Sequence, residues 1–397
     1  MGYALVEVDV ATGAARPEIR LRDDQDGIAV VARDRGRVVG FAIEPRPAGS
    51  VVGPAALLAM LGARGVPASV RDDPPPGPAG STVSITVAVC TRDRTERLGR
   101  CLDSIVVARD PDTKVLVVDN APSDSRTERL VASRDDVTYT CEPRPGLDIA
   151  RNRALHEAGT DVVAFVDDDV VVDRDFVHAL QRAWSRDADA AAVTGLILPS
   201  ALDTEAQVTF ERSGGFREGF TRLRYDGAHD PADPLHPWGP KFGSGANMAL
   251  RRDIALALGG FDDALDTGPP LPGGGDLDML TRLLRDGRVL VYDPAVVVFH
   301  EHRRTMRELR RQYWSWGESY LAFLSKWWWT DPDARPALRR VLRWWLAYEV
   351  AALRDAGRGD GARPPALAAA ELAGGLVGLA GSYQRSARRI ARTRACR

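Results

Sequence analysis

An α/β fold, with a mostly parallel sheet flanked by helices, is what the middle of this 397-residue sequence predicts. From Val83 onward, short apolar runs alternate with stretches whose apolar residues recur at helical spacing, the pattern of strands joined by covering helices. Several of those runs end in polar or acidic residues: Thr91 with Asp93, Asp119, and the triplet Asp167, Asp168 and Asp169. Open α/β sheets gather ligands beyond the carboxyl ends of their strands, so these residues share one rim. The length exceeds one typical domain, and a β-rich module before the sheet and a helical extension after it complete the expected architecture.

Taken in order, residues 1–71 read as the small β-rich module. Strands are expected at 4–10, 27–33 and 37–43, with Asp34, Arg35 and Gly36 turning the last two into a hairpin, and a short helix at 54–61. Residues 72–82, dominated by Pro, Gly and Asp, read as a linker. The catalytic-sized domain follows at 83–302. Its first strand is 84–90. Asp93 followed by Glu96 predicts an N-cap with a reciprocal acid and a helix beginning near Arg94, whose buried face is Leu98, Cys101, Leu102 and Ile105. Strands follow at 115–118, ending at Asp119 and Asn120, and at 137–140. A helix at 150–158 leads into a strand at 162–166. Further on come a strand at 248–250, a helix carrying Leu277, Leu280 and Leu283, and an apolar run at 296–299 that ends at His300. Residues 303–397 form a helical, basic, Trp-rich extension.

Composition is that of a soluble globular protein, 44% hydrophobic and 27% charged, with a net charge of −2. Nothing in that balance suggests nucleic acid. The charge is uneven: residues 303–397 carry 19 Lys and Arg against 8 Asp and Glu, leaving 34 against 47 in the first 302 residues. A basic tail behind an acidic body fits contact with an anionic surface, and its tryptophans and arginines suit a membrane interface as well as helices packed on the main domain. The cysteines lack metal-type spacing and read as reduced packing residues. With neither a basic head nor an unbroken apolar start, the cytoplasm is the expected location. Residues 366–383 are apolar but rich in Ala and Gly and interrupted by Glu371, so no spanning helix is expected. No G-x-G-x-x-G follows the first strand and no P-loop occurs, which removes support for hydride transfer and ATP hydrolysis.

Three consecutive carboxylates after an apolar strand need a cation. Mg²⁺ or Mn²⁺ accepts one or two carboxylates and leaves positions for substrate phosphates. The competing reading is a helix N-terminus capped by Asp.

The ordered motifs resemble family 2 glycosyltransferases of the GT-A fold, over residues 81–316. They are Val89-Cys90-Thr91-Arg92-Asp93-Arg94, Val117-Val118-Asp119-Asn120, Gly146 through Ala150-Arg151-Asn152, the Asp triplet, Gly243-Ser244-Gly245-Ala246-Asn247, Gly274-Gly275-Asp276-Leu277-Asp278, and His300. The resemblance implies transfer of a sugar from a nucleotide-diphosphate donor to an acceptor hydroxyl, with inversion. A divalent cation neutralises the departing diphosphate and a base takes the acceptor proton. It implies that Asp119, with Thr91 and Asp93, meets a uracil or thymine base, that Arg151 reaches the nucleotide, that Asp168 meets the ribose and that Asn247 reads the sugar. Asp169, together with Asp167, and His300 would hold the metal, and Asp276 would be the base, with Asp278 as runner-up. Where the family has Gly-Glu-Asp this chain has Gly274-Gly275-Asp276, a departure that puts the Glu contacts in doubt. The Gln-x-x-Arg-Trp element of processive synthases is matched only partly at 312–316, with Ser315 in the Arg position, so a non-processive enzyme is expected. If the tail touches a bilayer, a lipid-linked acceptor follows. Two alternatives stay open: a nucleotidyltransferase making activated sugars, whose Gly-rich basic loop is missing after the first strand, and a non-catalytic nucleotide-sugar-binding protein.

Overall fold

The computed structural model describes residues 2–10, 18–62, 83–216, 218–227, 233, 235–268, 271–354 and 362–395. The N-terminal module comprises strands β1 (Gly2–Asp9), β2 (Ile19–Arg20), β3 (Gln25–Asp34), β4 (Arg37–Pro45) and β5 (Val51–Val52) and helix α1 (Pro54–Gly62). β3 and β4 form the expected hairpin, Asp34 opposite Arg37, with Arg35 and Gly36 at positive φ in its turn. Strand side chains alternate between faces. Ile28, Val30 and Ala32 therefore meet Leu57, Met60 and Leu61 of α1, while Ala29 and Val31 pack with Leu196, Leu198 and Val297 of the large sheet. A buried ion pair, Arg33 to Asp173 at 2.6 Å, crosses the same junction. The expected linker at 72–82 lies outside the described residues.

The large sheet follows the predicted rhythm. Strand β6 (Ile85–Thr91) leads to helix α2 (Thr95–Ala108), β7 (Lys114–Asn120) to α3 (Arg126–Ala132), and β8 (Thr138–Glu142) to α4 (Leu147–Glu157) and β9 (Val162–Asp167). Next come β10 (Val170–Val172), α5 (Phe176–Arg186), β11 (Ala190–Pro199), α6 (Glu205–Arg212), β12 (Leu223–Asp226), β13 (Asn247–Arg251), α7 (Arg252–Ala257), α8 (Gly275–Arg285) and β14 (Val289–His300). The spatial order is β10-β14-β11-β13-β9-β6-β7-β8, with β12 on the outside of β14. β9, β6, β7 and β8 are mutually parallel, whereas β13 runs antiparallel between β9 and β11. One face is covered by α2 and α5, the other by α4 and α8.

Two local features position the rim. The short β10 turns back directly after the Asp triplet and pairs with the end of β14, Val170 opposite His300, which sets His300 beside Asp169. β11 and β14 also lose register between Gly195 and Leu196, where extra residues of β14 bulge out.

The expected capping box at Asp93 does not form. The residue before α2 is Arg94, with no side-chain cap, and Asp93 sits at φ 56 with its carboxylate accepting from the Ser123 backbone N–H and hydroxyl, both at 2.9 Å. Asp93 thus ties the loop after β6 to the loop after β7, a long-range use that sequence spacing does not reveal.

The C-terminal extension is helical: α9 (Met306–Thr330), α10 (Arg335–Arg354), α11 (Pro365–Val377) and α12 (Tyr383–Ala395). Thr305 and Glu308 close a capping box that starts α9. Residues 365–392 are long and apolar enough to cross a membrane by length and composition. Here they lie along α9, with Glu371 ion-paired to Arg363 and a break at Ala380 and Gly381.

Candidate active site

The three strand ends converge as the sequence implies. Asp119, at the end of β7, is fully buried; Tyr139 donates to its Oδ2 at 3.1 Å, while Oδ1 has no partner among the described residues. An open, buried carboxylate oxygen is costly unless a donor arrives, and burial accordingly raises its pKa above the usual carboxylate value. It offers an acceptor to an N–H at the sheet rim.

Thr91, at the end of β6, donates its hydroxyl to Asp168 Oδ2 at 2.7 Å, and Arg94 donates to Asp168 Oδ1 at 3.0 Å. Burial raises the Asp168 pKa, and these two partners work against that rise. Asp167, Asp169 and His300 bring one ligand atom each within 4.8 Å of one another. Two carboxylates and an imidazole suit Mg²⁺ or Mn²⁺, so the residues fit the expected cation. Burial and the neighbouring Asp169 push Asp167 up to about 6. Burial would lift Asp169 too, but His300, Arg303 and Arg94 outweigh it and hold that carboxyl far below the usual range.

Two groups around the triplet were not legible as site residues. Arg94, Arg97 and Arg303 all approach Asp169 Oδ2, at 3.7, 3.8 and 3.8 Å, so an acid run without local bases is ringed by arginines in space. His300 Nδ1 lies 3.1 Å from His302 Nδ1, and His302 Nε2 lies 2.7 Å from Glu211 Oε1 on α6. An ionised Glu211 accepts from His302 Nε2–H. A neutral His302 then accepts at Nδ1 from His300, whose Nε2 faces the cation position, 3.3 Å from Asp169 Oδ1, and would exchange its proton there for a bound ion. The His-x-His spacing was the only local signal; Glu211 lies 91 residues away.

Other expected roles shift. Arg151 is buried and donates to Asp148 at 3.1 Å and Asp266 at 3.3 Å, with its guanidinium over Phe261, so the group expected at the nucleotide is already engaged by two carboxylates. Asn247 donates its side-chain NH2 to the carbonyls of Leu196 and Val296 at 3.1 and 2.9 Å, satisfying the β11–β14 bulge. Asp93 accepts from Ser123 through Oδ1 alone. The glycines of the 243–247 loop are required by packing: a Cβ on Gly243 would meet Thr194, and one on Gly245 would meet Arg151. Asp278 is fully buried in bonds to Arg282, Lys326 and Trp327, which makes it structural. Asp276 is half-buried on the first turn of α8. Its Oδ2 accepts from the Gly245 backbone N–H at 2.7 Å, and this contact joins it to the 243–247 loop.

Residues 86–258 match the model of glycosyl transferase family 2, which takes in Asp119 and the Asp triplet and stops short of Asp276 and His300. The chain is 26% identical over 185 residues, 45% of its length and 56% of the relative's, to the glucosyl-dolichyl phosphate glucuronosyltransferase of Haloferax volcanii. It is 27% identical to the pre-mycofactocin glycosyltransferase of Mycobacterium tuberculosis over 59% of this chain and 46% of that one. The chain therefore spans about half the length of these relatives. The succinoglycan biosynthesis protein ExoM of Rhizobium meliloti is 28% identical over 62% of this chain and 76% of its own. A mannosyltransferase of Pyrobaculum calidifontis, solved with GDP-Man and Mn²⁺, is similar at 20% identity and a TM-score of 0.48, over 82% of this chain and 84% of the other. The segment at residues 86–258, whose acidic strand ends share one rim of a mostly parallel sheet, is thus similar to glycosyl transferase family 2.

Proposed function

We propose that this protein is a metal-dependent, inverting, non-processive glycosyltransferase that moves one sugar from a nucleotide-diphosphate donor to an acceptor hydroxyl. The observation that carries the reading is the cluster of Asp167, Asp169 and His300 on the same rim as the open Asp119 oxygen. Asp119 Oδ1 accepts the N3–H of uracil or thymine, which favours UDP or dTDP donors. Asp168, held by Thr91 and Arg94, lines the ribose side. Asp167, Asp169 and His300 would hold Mn²⁺ or Mg²⁺, which when bound would supply Lewis-acid neutralisation of the diphosphate. The ring of Arg94, Arg97 and Arg303 adds positive charge beside that position. Asp276, fixed by the Gly245 amide, takes the acceptor proton as the new bond forms at the anomeric carbon and the nucleoside diphosphate departs, a single displacement that inverts configuration. The exposed aromatic and basic surface of the extension supports peripheral contact with the inner face of a membrane and a lipid-linked acceptor; the name of the Haloferax volcanii relative points to such an acceptor there.

The test is a thermal-shift panel of UDP, dTDP, GDP and CDP, each with Mn²⁺ and with EDTA, because a ligand that binds only the native state raises its stability. We expect stabilisation by UDP or dTDP that requires metal and is lost in Asp169→Ala. A panel in which no nucleotide at millimolar concentration shifts the melting would sink the proposal, and a shift by GDP alone would overturn the donor class.

A further inference from the structure

Gly274 and Gly275 stand side by side before Asp276, and only the first needs to be glycine for its backbone. Gly274 has φ 100, in the left-handed region, whereas Gly275 is outside it. What requires glycine at 275 is a neighbour: a Cβ there would lie 1.8 Å from Asp148 Oδ2 and 2.3 Å from Asp148 Cγ. Asp148 enters this space from the first turn of α4 and is completely buried. Its Oδ1 accepts from Arg151 at 3.1 Å and its Oδ2 has no partner among the described residues.

The contacts continue to the proposed base. Arg151 also donates to Asp266, whose carboxylate accepts the Gly275 backbone N–H at 3.2 Å. Arg151 Nη2 is 2.4 Å from the point where a Cβ on Gly245 would sit, and Asp276 Cβ is 3.2 Å from that point, so the guanidinium lies directly under the Gly245 backbone. The Gly245 amide in turn donates to Asp276. Asp148, Arg151, Gly245 and Asp276 form one packed line. Two buried carboxylates share a single guanidinium in it, and burial pushes Asp266 up to about 7 and Asp148 well above its ordinary value.

We propose that Asp148 is a positioning residue for Asp276: it delivers from α4 the carboxylate that a side chain at position 275 would otherwise deliver from α8, and through Arg151 it holds the Gly245 amide against the base. This rests on the assignment of Asp276 as the base. The absent Glu of the Gly-Glu-Asp pattern is thereby replaced in space, by a residue 127 positions earlier in the chain.

The proposal is tested with four variants of the full chain: Asp148→Ala, Asp148→Leu, Gly275→Glu, and Asp148→Ala combined with Gly275→Glu. Each is melted and assayed for nucleoside-diphosphate release from the donor sugar selected by the nucleotide panel, with water as acceptor. We expect Gly275→Glu to melt well below wild type, because its side chain collides with Asp148. We expect Asp148→Ala to lower kcat by about 10- to 100-fold while donor KM stays within about 3-fold, the split of a lost transition-state geometry and not of lost binding. The double variant should recover about tenfold of that kcat and the melting temperature lost in Gly275→Glu. Asp148→Leu fills a similar volume without an oxygen for Arg151, so it reads the same kcat split if the alanine variant fails to fold. A folded Asp148→Ala or Asp148→Leu with wild-type kcat overturns the proposal, as does a double variant that melts like wild type yet is no faster than Asp148→Ala. A wild type that releases nothing overturns the enzymatic assignment itself, an outcome distinct from either.

Discussion

Asp119 shows how a single residue carries both what the sequence reveals and what it conceals. Its place at the end of an apolar strand was legible; that one oxygen is bonded by Tyr139 and the other left open was not, because the partner sits on the adjacent strand. Removing a buried acceptor that pairs with a ligand donor costs roughly 1–3 kcal/mol, so Asp119→Ala should weaken nucleotide binding about tenfold or more, read by titration calorimetry, with little change in melting without nucleotide. A variant that binds equally well would move the base pocket elsewhere. Asp266 gives a pH signature. Burial, together with neighbouring Asp276, keeps its proton to about pH 7, whereas the unfolded carboxyl releases it near 3.8. Between those values the native state binds the extra proton, so this group lowers stability as pH rises from about 4 to 7, and above that the loss is complete. Asp266→Asn removes the fall. Its melting temperature should gain on wild type as pH goes from 4.5 to 8, and parallel melting curves across that range would contradict the assignment. The arginine ring around Asp169, and His302 with Glu211, escaped the sequence for the same reason as Tyr139: local spacing names a group, while its partners arrive by strand pairing.

At the scale of elements, alternation and helical spacing sufficed wherever burial decides the structure. The β3–β4 hairpin, β6, β7, β9 and the buried face of α2 all lie where apolar periodicity places them, because a strand or helix with one misplaced face would expose its core. The pattern failed where one residue serves two loops. Asp93 and Glu96 had the spacing of a capping box, yet Asp93 holds Ser123 instead, a contact between loops that no local rule anticipates. Asn247 likewise plugs a bulge created by two strands remote from it in sequence. The C-terminal helices are held by close backbone approach: a Cβ on Gly317 would lie 1.9 Å from the Glu371 carbonyl oxygen, and one on Gly374 would lie 2.0 Å from that of Trp314. Backbone at that distance cannot yield as a flexible side chain would. Gly317→Ala should therefore destabilise the fold by about 2–3 kcal/mol, at the upper end for overpacking, seen as a lower urea midpoint. An unchanged midpoint would mean that α9 and α11 pack more loosely than described.

For the whole molecule, charge and exposed apolar surface are segregated together. Eight of the thirteen exposed large hydrophobic residues among those described lie between Trp314 and Leu379, in the same extension that carries the excess of arginine. α10 turns Leu338, Val341 and Trp345 inward and leaves Arg339, Arg340, Arg343, Trp344, Leu346 and Tyr348 outside, with Trp344 and Tyr348 stacked at 5.7 Å. Its buried acid, Glu349, is matched by Arg363 and leaves the outer charge positive. Rings that sit at headgroup depth beside guanidinium groups are the composition of an interfacial surface, and each basic residue near an anionic leaflet adds about 1 kcal/mol that salt screens. The full chain should co-sediment with vesicles containing phosphatidylglycerol at low salt and release in roughly 0.5 M salt, where the Debye length falls below about 5 Å. Arg340→Glu with Arg343→Glu should weaken that binding strongly, and Trp329→Ala, whose side chain is 68% exposed, should weaken it moderately without lowering the melting temperature. Equal binding to phosphatidylcholine vesicles would assign the contact to apolar insertion alone. Absence of binding to either would remove the bilayer, and with it the structural reason for placing the acceptor on a lipid.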